Sequence, residues 1–395
     1  MSGQRCVALG VSGSIAAYKA AELASALVKQ EIAVDIVMTD NAARFITPLT
    51  FESITNRPVT YSMWQDKAQF EVEHISIAKR ADLFLIVPAT ANVIGKYAHG
   101  VADDMLTTTL LATRAPVLIA PAMNTNMYLH EAVQLNMQTL RERGVLFVEP
   151  KVGRLACGDE GIGKLADVET ILEAALGILY PKKDLAGRRV LITAGPTREA
   201  IDPVRYISNR SSGKMGFALA RAAQMRGAQV VLVSGPVNLK PPYGVELVRI
   251  ESVQQMYDAV LSRFDDCDMV IKAAAPADFT PLSVQTEKIK KKDGCRTLQL
   301  QDTPDILKSL GAKKQAQVLI GFAAETQNVE GYAQQKLTDK RLDMIVANDV
   351  TKEGAGFDTD TNIASVITKQ GIRHFERMPK EELAHRILDI VTELF

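Results

Sequence analysis

The sequence predicts an α/β chain with two parallel-sheet domains, one after the other. Residues 6–19 (CVALGVSGSIAAYK) and 189–199 (RVLITAGPTRE) each run from an apolar strand into a glycine turn with hydroxyl side chains, as phosphate-handling α/β sheets begin. The two turns differ, so we expect two different sites rather than a duplicated domain. With 395 residues, 47% of them hydrophobic, the chain can bury two cores.

The first half alternates apolar runs of strand length with amphipathic runs of helix length, the pattern of a parallel sheet covered on both faces. Strands are predicted near 6–11, 33–38, 82–87, 116–120 and 145–148. Helices are predicted near 15–29, 41–55, 91–99, 104–113, 127–143 and 167–179. The glycine-rich segment 149–166 breaks the pattern, as a mobile flap would.

The second half begins after PKKDLAGRR (181–189), whose proline, glycine and charges are typical of a linker. We place the domain boundary near residue 183, giving domains 1–182 and 183–395. Strands are predicted near 188–193, 229–233, 246–250, 268–273, 317–321 and 343–347, and a terminal hairpin near 363–368 and 371–376. Helices are predicted near 214–226, 252–264, 304–314, 328–342 and 379–394.

Composition argues against several classes of protein. The chain has 46 basic and 46 acidic residues, so no overall field draws it to nucleic acid or to an anionic membrane. Its first residues lack the apolar core of a signal peptide, and no stretch is long enough to span a membrane, so we expect a cytoplasmic protein. The four cysteines are far apart and form no CxxC pair, which favours neither disulfides nor structural zinc.

The first turn, Gly10-Val11-Ser12-Gly13-Ser14, has the parts of a site for one phosphate. It lacks both GxGxxG and GxxxxGK[ST]. Its glycines allow close backbone approach, Ser12 and Ser14 offer hydroxyl donors, and the next helix presents free N–H groups. The alternative is that small residues merely permit a tight turn.

Polar residues also follow two other predicted strands, where α/β sheets concentrate function. Asn92 follows the strand at 82–87, Asn124 follows the strand at 116–120, and His74 precedes the first of them. A single histidine or asparagine is more often a satisfied structural group than a catalyst. Cys157 is different, because it lies in a glycine-rich, charged segment rather than in an apolar run.

The first half is similar to the flavin-dependent cysteine decarboxylases in GVSGSIAAYK (10–19), His74, PATAN (88–92), PAMNTNMY (121–128) and ACGD (156–159). The second half resembles phosphopantothenate–cysteine ligase in GPTRE (195–199), DPVRYISNRSSGKMG (202–216), EKIKK (287–291) and GFAAET (321–326). In this order the halves resemble the bifunctional decarboxylase/ligase family of bacterial coenzyme A synthesis. The resemblance implies two Rossmann-like parallel-sheet domains, the N-terminal one flavodoxin-like with a glycine-rich substrate flap.

For the first half, the resemblance implies FMN-dependent decarboxylation of phosphopantothenoylcysteine. A cysteine amide has no electron sink for decarboxylation, and flavin creates one by oxidising the thiol side chain to a thioaldehyde. The resemblance gives His74 a proton-transfer or positioning role, Asn124 the substrate carboxylate, and Cys157 the protonation that permits final reduction. It also implies trimers in which residues 102–107 reach a neighbour's cofactor. The expected FMN contacts are Gly13, Ser14, Thr39, Thr90, Ala91 and Asn92.

For the second half, the resemblance implies CTP-dependent ligation of 4′-phosphopantothenate to cysteine through an acyl-cytidylate, in domains that dimerise. Phosphoryl chemistry of this kind needs lysines and a divalent metal, expected to be Mg²⁺ with ligands unknown. Asn209 is expected to contact the acyl-cytidylate, and Lys288 the phosphates and the transition state. The expected CTP-binding residues are Lys272, Ala273, Ala274, Asp278, Lys288, Pro304, Asp305, Ile306, Leu307, Phe322, Lys336 and Lys340.

Other interpretations stay open. Without the flanking motifs, EKIKKKDG would be a solvated charge run, and Lys336 and Lys340 an exposed helix stripe. The chain could also be an NAD(P)-dependent oxidoreductase with two Rossmann-like domains, although both GxGxxG fingerprints are missing. A non-catalytic regulatory flavoprotein is the third possibility, and the joint presence of His74, Asn124 and Cys157 argues against it.

Overall fold

The computed structural model describes residues 4–63, 72–155, 158–290, 297–325, 329–349, 356 and 358–395. Its contacts divide the chain into an N-terminal unit, Met1–Tyr180, and a C-terminal unit, Pro181–Phe395. Within those described ranges, no helix combines the length and the hydropathy needed to cross a membrane.

The N-terminal unit is a parallel sheet covered by helices. Its strands are β1 (Cys6–Val11), β2 (Ala33–Met38), β3 (Leu83–Ala89), β4 (Val117–Pro121), β5 (Leu146–Phe147), β6 (Lys151–Arg154) and β7 (Glu160–Lys164). Its helices are α1 (Ala17–Lys29), α2 (Asp40–Phe45), α3 (Pro48–Thr55), α4 (Glu73–Arg80), α5 (Ala91–His99), α6 (Met105–Ala112), α7 (Thr125–Leu129), α8 (Glu131–Glu142) and α9 (Val168–Leu179). The sheet order β2-β1-β3-β4-β5 is that of a flavodoxin-like fold, which confirms the predicted class.

The core of this unit explains why its strands are continuous apolar runs. Every residue of β1, β3 and β4 is buried, because helices cover both faces of the sheet. The carboxyl ends of these strands meet at one edge, where the loops lie that follow β1, β3 and β4.

Several boundaries differ from the sequence-based prediction. The helix predicted over 41–55 is two helices, because α3 begins with Pro48, which disfavours a helical conformation for the residue before it. The helix predicted over 127–143 is interrupted at His130, whose side chain caps α8. The segment 149–166, predicted as an irregular flap, contains the antiparallel pair β6–β7.

Helix α4 was not predicted, and it carries His74. Its last residue, Arg80, donates from Nη2 to the buried carboxylate of Asp35 on β2 at 3.0 Å. Arg57, just after α3, binds the other oxygen of Asp35 at 2.7 Å. This shared carboxylate fixes the end of α4 to the sheet.

The C-terminal unit contains a larger mixed sheet. Its strands are β8 (Arg189–Ala194), β9 (Arg198–Ala200), β10 (Tyr206–Ser208), β11 (Gln229–Ser234), β12 (Glu246–Arg249), β13 (Met269–Lys272), β14 (Phe279–Pro281), β15 (Leu300–Asp302), β16 (Val318–Glu325), β17 (Met344–Asp349), β18 (Thr361–Thr368) and β19 (Gly371–Pro379). Its helices are α10 (Lys214–Met225), α11 (Val253–Phe264), α12 (Ile306–Lys313), α13 (Val329–Asp339) and α14 (Lys380–Thr392).

The order of the large sheet is β12-β11-β8-β13-β16-β17-β18-β19. Its first six strands are parallel and follow the order of a Rossmann-like sheet, as predicted. Strands β18 and β19 add the predicted antiparallel hairpin. Two small antiparallel pairs, β9–β10 and β14–β15, lie in segments for which no strand or helix was predicted.

A buried ion-pair cluster ties the start of this unit to its helices. The fully buried Arg226, after α10, donates from Nε to Asp184 at 2.7 Å and from Nη1 to Asp389 on α14 at 3.0 Å. Lys182 binds Asp389 at 2.7 Å. Hydrogen bonding from Arg226 lowers the pKa of Asp184 to about 2, so this carboxylate is ionised at neutral pH.

Candidate active sites

Ser12 joins the two loops at the centre of the N-terminal sheet. Its hydroxyl donates to the carbonyl of Pro88 at 2.7 Å and accepts the N–H of Thr90 at 3.1 Å. This bridge lies between β1 and β3, the point at which flavodoxin-like sheets bind their ligands. The Ser12 hydroxyl is therefore hydrogen-bonded to the loop after β3.

The other predicted residues of the first turn remain suited to a ligand. Gly13 is required by packing, because a Cβ there would lie 2.5 Å from the Cβ of Asn41 in α2. The Oγ of Ser14 accepts the Ala16 N–H at 3.3 Å, which leaves its hydrogen for donation. Thr39 caps α2 by accepting the Ala42 N–H at 3.2 Å, and its own N–H binds the carbonyl of Val11. The turn and Thr39 are therefore neighbours, as predicted.

Thr90, Ala91 and Asn92 form the start of α5. Thr90 is the N-cap residue and its side chain makes no capping hydrogen bond. Ala91 and Asn92 are the first two helical residues, whose N–H groups have no partner within the helix. Beside the turn after β1, these groups offer donors and a positive dipole end to an anion or a polar ring.

A cleft of about 380 Å³ opens beside this edge. It is bounded by α1, by the loop after β4 that carries Asn124, and by the β6–β7 hairpin. The Oδ1 of Asn124 accepts the Asn126 N–H at 2.8 Å, so the amide hydrogens on Nδ2 are its groups for donation. The charged residues that line the cleft in the described part of the chain are all cations, namely Lys19, Arg154 and Lys164.

The hairpin lies against the Asn124 loop through glycine. The Met123 N–H donates to the carbonyl of Gly163 at 3.0 Å. Gly163 has a φ of +133°, and a Cβ there would lie 2.3 Å from the Met123 carbonyl oxygen. The hairpin can therefore approach the Asn124 loop this closely only because residue 163 is a glycine, which has no side chain.

For the decarboxylation that the sequence resemblance implies, we expect Gly163→Ala to lower kcat/KM by about tenfold to a hundredfold, because the hairpin must move away from Asn124. Gly153→Ala is the matched control in the same hairpin, since the nearest atom to its Cβ is Lys164 Cδ at 3.5 Å. Steady-state CO2 release from both variants checks this. Equal effects of the two substitutions would contradict the role given to Gly163.

His74 is half-buried near the start of α4 and is not among the lining residues of this cleft. Cys157 lies outside the described residues, so its predicted role stays a prediction.

The C-terminal unit has its own cleft, of about 410 Å³, near the carboxyl ends of β13, β16 and β17. It brings together Asn209 and five predicted residues on or near β13 and β16. At its floor, Gly213 caps α10 with a φ of +77°, and a Cβ at Gly216 would lie 2.6 Å from the Cβ of Ala194. The predicted residues among its lining are Asn209, Lys272, Ala273, Ala274, Asp278 and Phe322.

Lys272, at the end of β13, is the most perturbed base in this cleft. Burial, reinforced by the positive charge of Lys340, lowers the pKa of Lys272 to about 8. Lys336 contributes in the same direction, while Asp305 and Asp278 oppose it. These predicted residues therefore lie close enough to Lys272 for their charges to shift its pKa.

The remaining predicted nucleotide residues surround that point. Asp305 caps α12 by accepting the Lys308 N–H at 3.0 Å, and it also binds Lys340 Nζ at 2.8 Å. Pro304 precedes this cap, and Ile306 and Leu307 are buried in the first turn of α12. Lys288 is exposed in the loop between β14 and β15 and does not line the cleft.

Sequence reasoning missed polar residues at the opposite end of this cleft. Lys214 binds Asp360 at 2.7 Å, and the buried Lys380 donates to the Thr359 carbonyl at 2.6 Å. Asn348, on β17, also lines the cleft. The sequence SSGKMG indicated that a helix begins near Lys214. No local sequence pattern, however, shows that β17 and the start of α14 lie beside the same cleft.

Comparison with known proteins gives the family. A model described as "Flavoprotein" matches residues 1–179, and one described as "DNA/pantothenate metabolism flavoprotein C-terminal domain" matches residues 185–394. The chain is 50% identical over 398 residues to the coenzyme A biosynthesis bifunctional protein CoaBC of Bacillus subtilis, covering 100% of this chain and 98% of that protein. The chain belongs to the CoaBC family.

A second relative that matches over its full length gives the same result. The chain is 44% identical to the CoaBC protein of Escherichia coli K12, covering 99% of this chain and 98% of that protein. A solved C-terminal domain of a CoaBC protein is 45% identical, with a TM-score of 0.47, and covers 54% of this chain and 98% of that structure. As a CoaBC-family protein, the chain is an enzyme of coenzyme A biosynthesis with decarboxylase and ligase roles.

Proposed function

We propose that the C-terminal unit joins 4′-phosphopantothenate to cysteine with CTP, through an acyl-cytidylate. The N-terminal unit then decarboxylates the product, phosphopantothenoylcysteine, to 4′-phosphopantetheine with FMN. The observation that supports the proposal is that each unit has a cleft near the carboxyl ends of its parallel strands, lined by Asn124 in the N-terminal unit and by Asn209 and Lys272 in the C-terminal unit. We also propose a cytoplasmic enzyme with trimeric decarboxylase and dimeric ligase units.

The N-terminal edge fits the phosphate and ring of FMN. The Gly13 turn packs too closely on Asn41 for a side chain, and the Ser14 hydroxyl retains a hydrogen to donate. Thr90, Ala91 and Asn92 add a helix N-terminus without a side-chain cap. With Thr39 beside the turn, these residues would hold the cofactor, which accepts a hydride equivalent and returns it.

The residues of the adjacent cleft suit a substrate with two anionic groups. Asn124 would hold the substrate carboxylate through Nδ2, directed by the bond that Oδ1 makes to Asn126. The cations Lys19, Arg154 and Lys164 suit the phosphate of the same molecule. We propose proton transfer or positioning for His74, and protonation of the enethiolate for Cys157.

The C-terminal cleft suits attack of a carboxylate on a nucleotide phosphate. Lys272, Lys336 and Lys340 supply positive charge at one point, and Asn209 lies on the same wall as Lys272. Asp278 is the carboxylate that lines the cleft beside them. In the described residues, no group of three or more His, Cys, Asp and Glu gathers as a metal site. We therefore propose that Mg²⁺ is held mainly by the nucleotide phosphates.

One assay tests both halves. We expect the purified chain to be yellow and, with 4′-phosphopantothenate, cysteine, Mg²⁺ and CTP, to form pyrophosphate, CO2 and 4′-phosphopantetheine in equal amounts. Omission of CTP should stop all three, and ATP in its place measures nucleotide selectivity. Added phosphopantothenoylcysteine should restore CO2 without CTP. A colourless protein that binds NADPH and forms neither pyrophosphate nor CO2 would refute the proposal in favour of an oxidoreductase.

A further inference from the structure

The loop that carries Lys288 is exposed but is anchored at two points. Residues 282–288 are all exposed and belong to no strand or helix. The Gln285 N–H nevertheless donates to the carbonyl of Ile201 at 3.0 Å. Four residues later, both backbone groups of Ile289 are also bonded to the segment that follows Ile201. Lys288 therefore lies between two attachments to the same short segment.

The second attachment is a clamp made by Asp202 and Arg205. The Oδ2 of Asp202 accepts the Ile289 N–H at 3.1 Å, and Nη2 of Arg205 donates to the Ile289 carbonyl at 2.7 Å. The two side chains bind each other through Nε at 3.0 Å and Nη2 at 2.5 Å. The N–H and the carbonyl of Ile289, the residue after Lys288, are therefore both hydrogen-bonded to this one ion pair.

Asp202 is well suited to hold a loop in one place. Its residue is only 2% exposed, and its Oδ1 accepts the N–H groups of Val204 and Arg205, each at 2.9 Å. Burial alone would raise the pKa of Asp202, but Arg205 and the backbone donors hold it well below its usual range. The carboxylate is therefore ionised and fixed throughout the neutral pH range.

The same segment leads directly to the cleft. Strands β9 and β10 flank the Asp202 turn, and β10 ends one residue before Asn209. Asn209 in turn donates from Nδ2 to the Pro276 carbonyl at 2.8 Å, on the wall that includes Lys272. One turn thus connects the Lys288 loop to the residue expected to contact the acyl-cytidylate.

We propose that Asp202 is a positioning residue for the ligase reaction, which acts by holding Lys288 in reach of the nucleotide phosphates. This inference rests on the proposed role of Lys288. Its physical basis is that an anchored loop loses less conformational freedom when its lysine binds the ligand. On this proposal, the Asp-Pro-Val-Arg sequence at 202–205 serves to hold the Lys288 loop, although the two segments are far apart along the chain.

The test is a double-mutant cycle with Asp202→Asn and Lys288→Gln. An amide at Asp202 removes the negative charge that binds Arg205 and replaces one of the two acceptor oxygens with a donor, which weakens the clamp. We expect Asp202→Asn to lower kcat/KM for CTP about tenfold in the wild-type background and less than about twofold when Lys288 is already Gln. The matched control is Asp265→Asn, an exposed acid whose Lys313 partner lies at 3.5 Å.

A second measurement does not depend on activity. Trypsin cleavage after Lys288 requires local opening of the clamp, so we expect it to be at least about fivefold faster in Asp202→Asn than in wild type or Asp265→Asn. CO2 release by the same variant reports that the N-terminal unit is folded, and its circular dichroism spectrum and thermal unfolding should match those of Asp265→Asn if the C-terminal unit is folded as well. CTP addition should slow cleavage in wild type more than in Asp202→Asn.

The outcomes separate the inference from the proposed function. If Lys288→Gln leaves CTP-dependent pyrophosphate formation unchanged, the proposed role of Lys288 fails. If Lys288→Gln impairs the reaction but Asp202→Asn lowers kcat/KM equally in both backgrounds, Asp202 acts independently of Lys288 and the inference is overturned. Unchanged trypsin cleavage in Asp202→Asn would overturn it as well.

Discussion

Asn124→Asp is expected to lower the rate of CO2 release from phosphopantothenoylcysteine by about a thousandfold, while the protein remains yellow. The substitution keeps the oxygen that accepts the Asn126 N–H, so the start of α7 is preserved. It replaces the Nδ2 donor with an acceptor and sets a negative charge opposite the substrate carboxylate. Like charges at close range cost several kcal/mol, and about 1.4 kcal/mol corresponds to a factor of ten in rate.

Asn126→Asp is the matched control, because Asn126 is two residues away and exposed. Single-turnover CO2 release and the flavin absorbance of both variants should be measured at equal protein concentration. A normal rate in Asn124→Asp would exclude a contact between this residue and the substrate carboxylate. Loss of flavin from Asn124→Asp alone would mean that the residue supports the cofactor instead.

Lys272→Gln is expected to lower kcat/KM for CTP by about a hundredfold, with CO2 release from added phosphopantothenoylcysteine unchanged. Lys272 lines the cleft of the C-terminal unit, and a charge-assisted hydrogen bond to a phosphate is worth about 1.5–3 kcal/mol. Lys313→Gln, an exposed lysine at the end of α12, should change kcat/KM for CTP by less than about twofold. Initial rates of pyrophosphate formation provide the comparison.

The pH dependence follows from the state of Lys272. Because its pKa is lowered to about 8, the free side chain loses its charge as pH rises through that value, well below the usual range for lysine. A bound triphosphate favours the charged form and raises this pKa, so CTP binding near pH 8 should take up protons. The KM for CTP should rise between pH 7 and pH 9. Calorimetry in buffers of different ionisation enthalpy measures the uptake, and an uptake of the same size in Lys272→Gln would assign it to another group.

Much of the fold could be predicted because both sheets are buried on both faces. Strands such as β1 and β3 are unbroken apolar runs, and the alternation with helices sets their parallel direction. What the sequence could not show are elements fixed by distant partners. Helix α4 is short and is held by Arg80 on Asp35, and β9–β10 is a three-residue pair within a polar loop.

For the candidate sites as well, residues next to strand ends could be predicted, whereas properties that depend on distant partners could not. Asn124, Ser14 and Thr90 were identifiable because they follow strand ends, where parallel sheets present their loops. The hydrogen bond of Ser12 could not be predicted, because its partner, Pro88, is 76 residues away along the chain. The perturbation of Lys272 was also invisible, since it arises from burial and from lysines on α13 and just after it.

The ion pairs around Arg226 determine at which residue the chain can be divided so that each unit stays intact. Lys182 and Asp184 contribute to ion pairs inside the C-terminal unit, so the polypeptide belongs to that unit almost from Pro181 onward. A chain divided after Tyr180 leaves the ligase unit with all of these pairs. Division after Leu185 would leave a buried guanidinium without one of its carboxylates, an arrangement that costs several kcal/mol. Exchange of one activity between relatives therefore has its natural junction before Lys182, not within the charged stretch that resembles a linker.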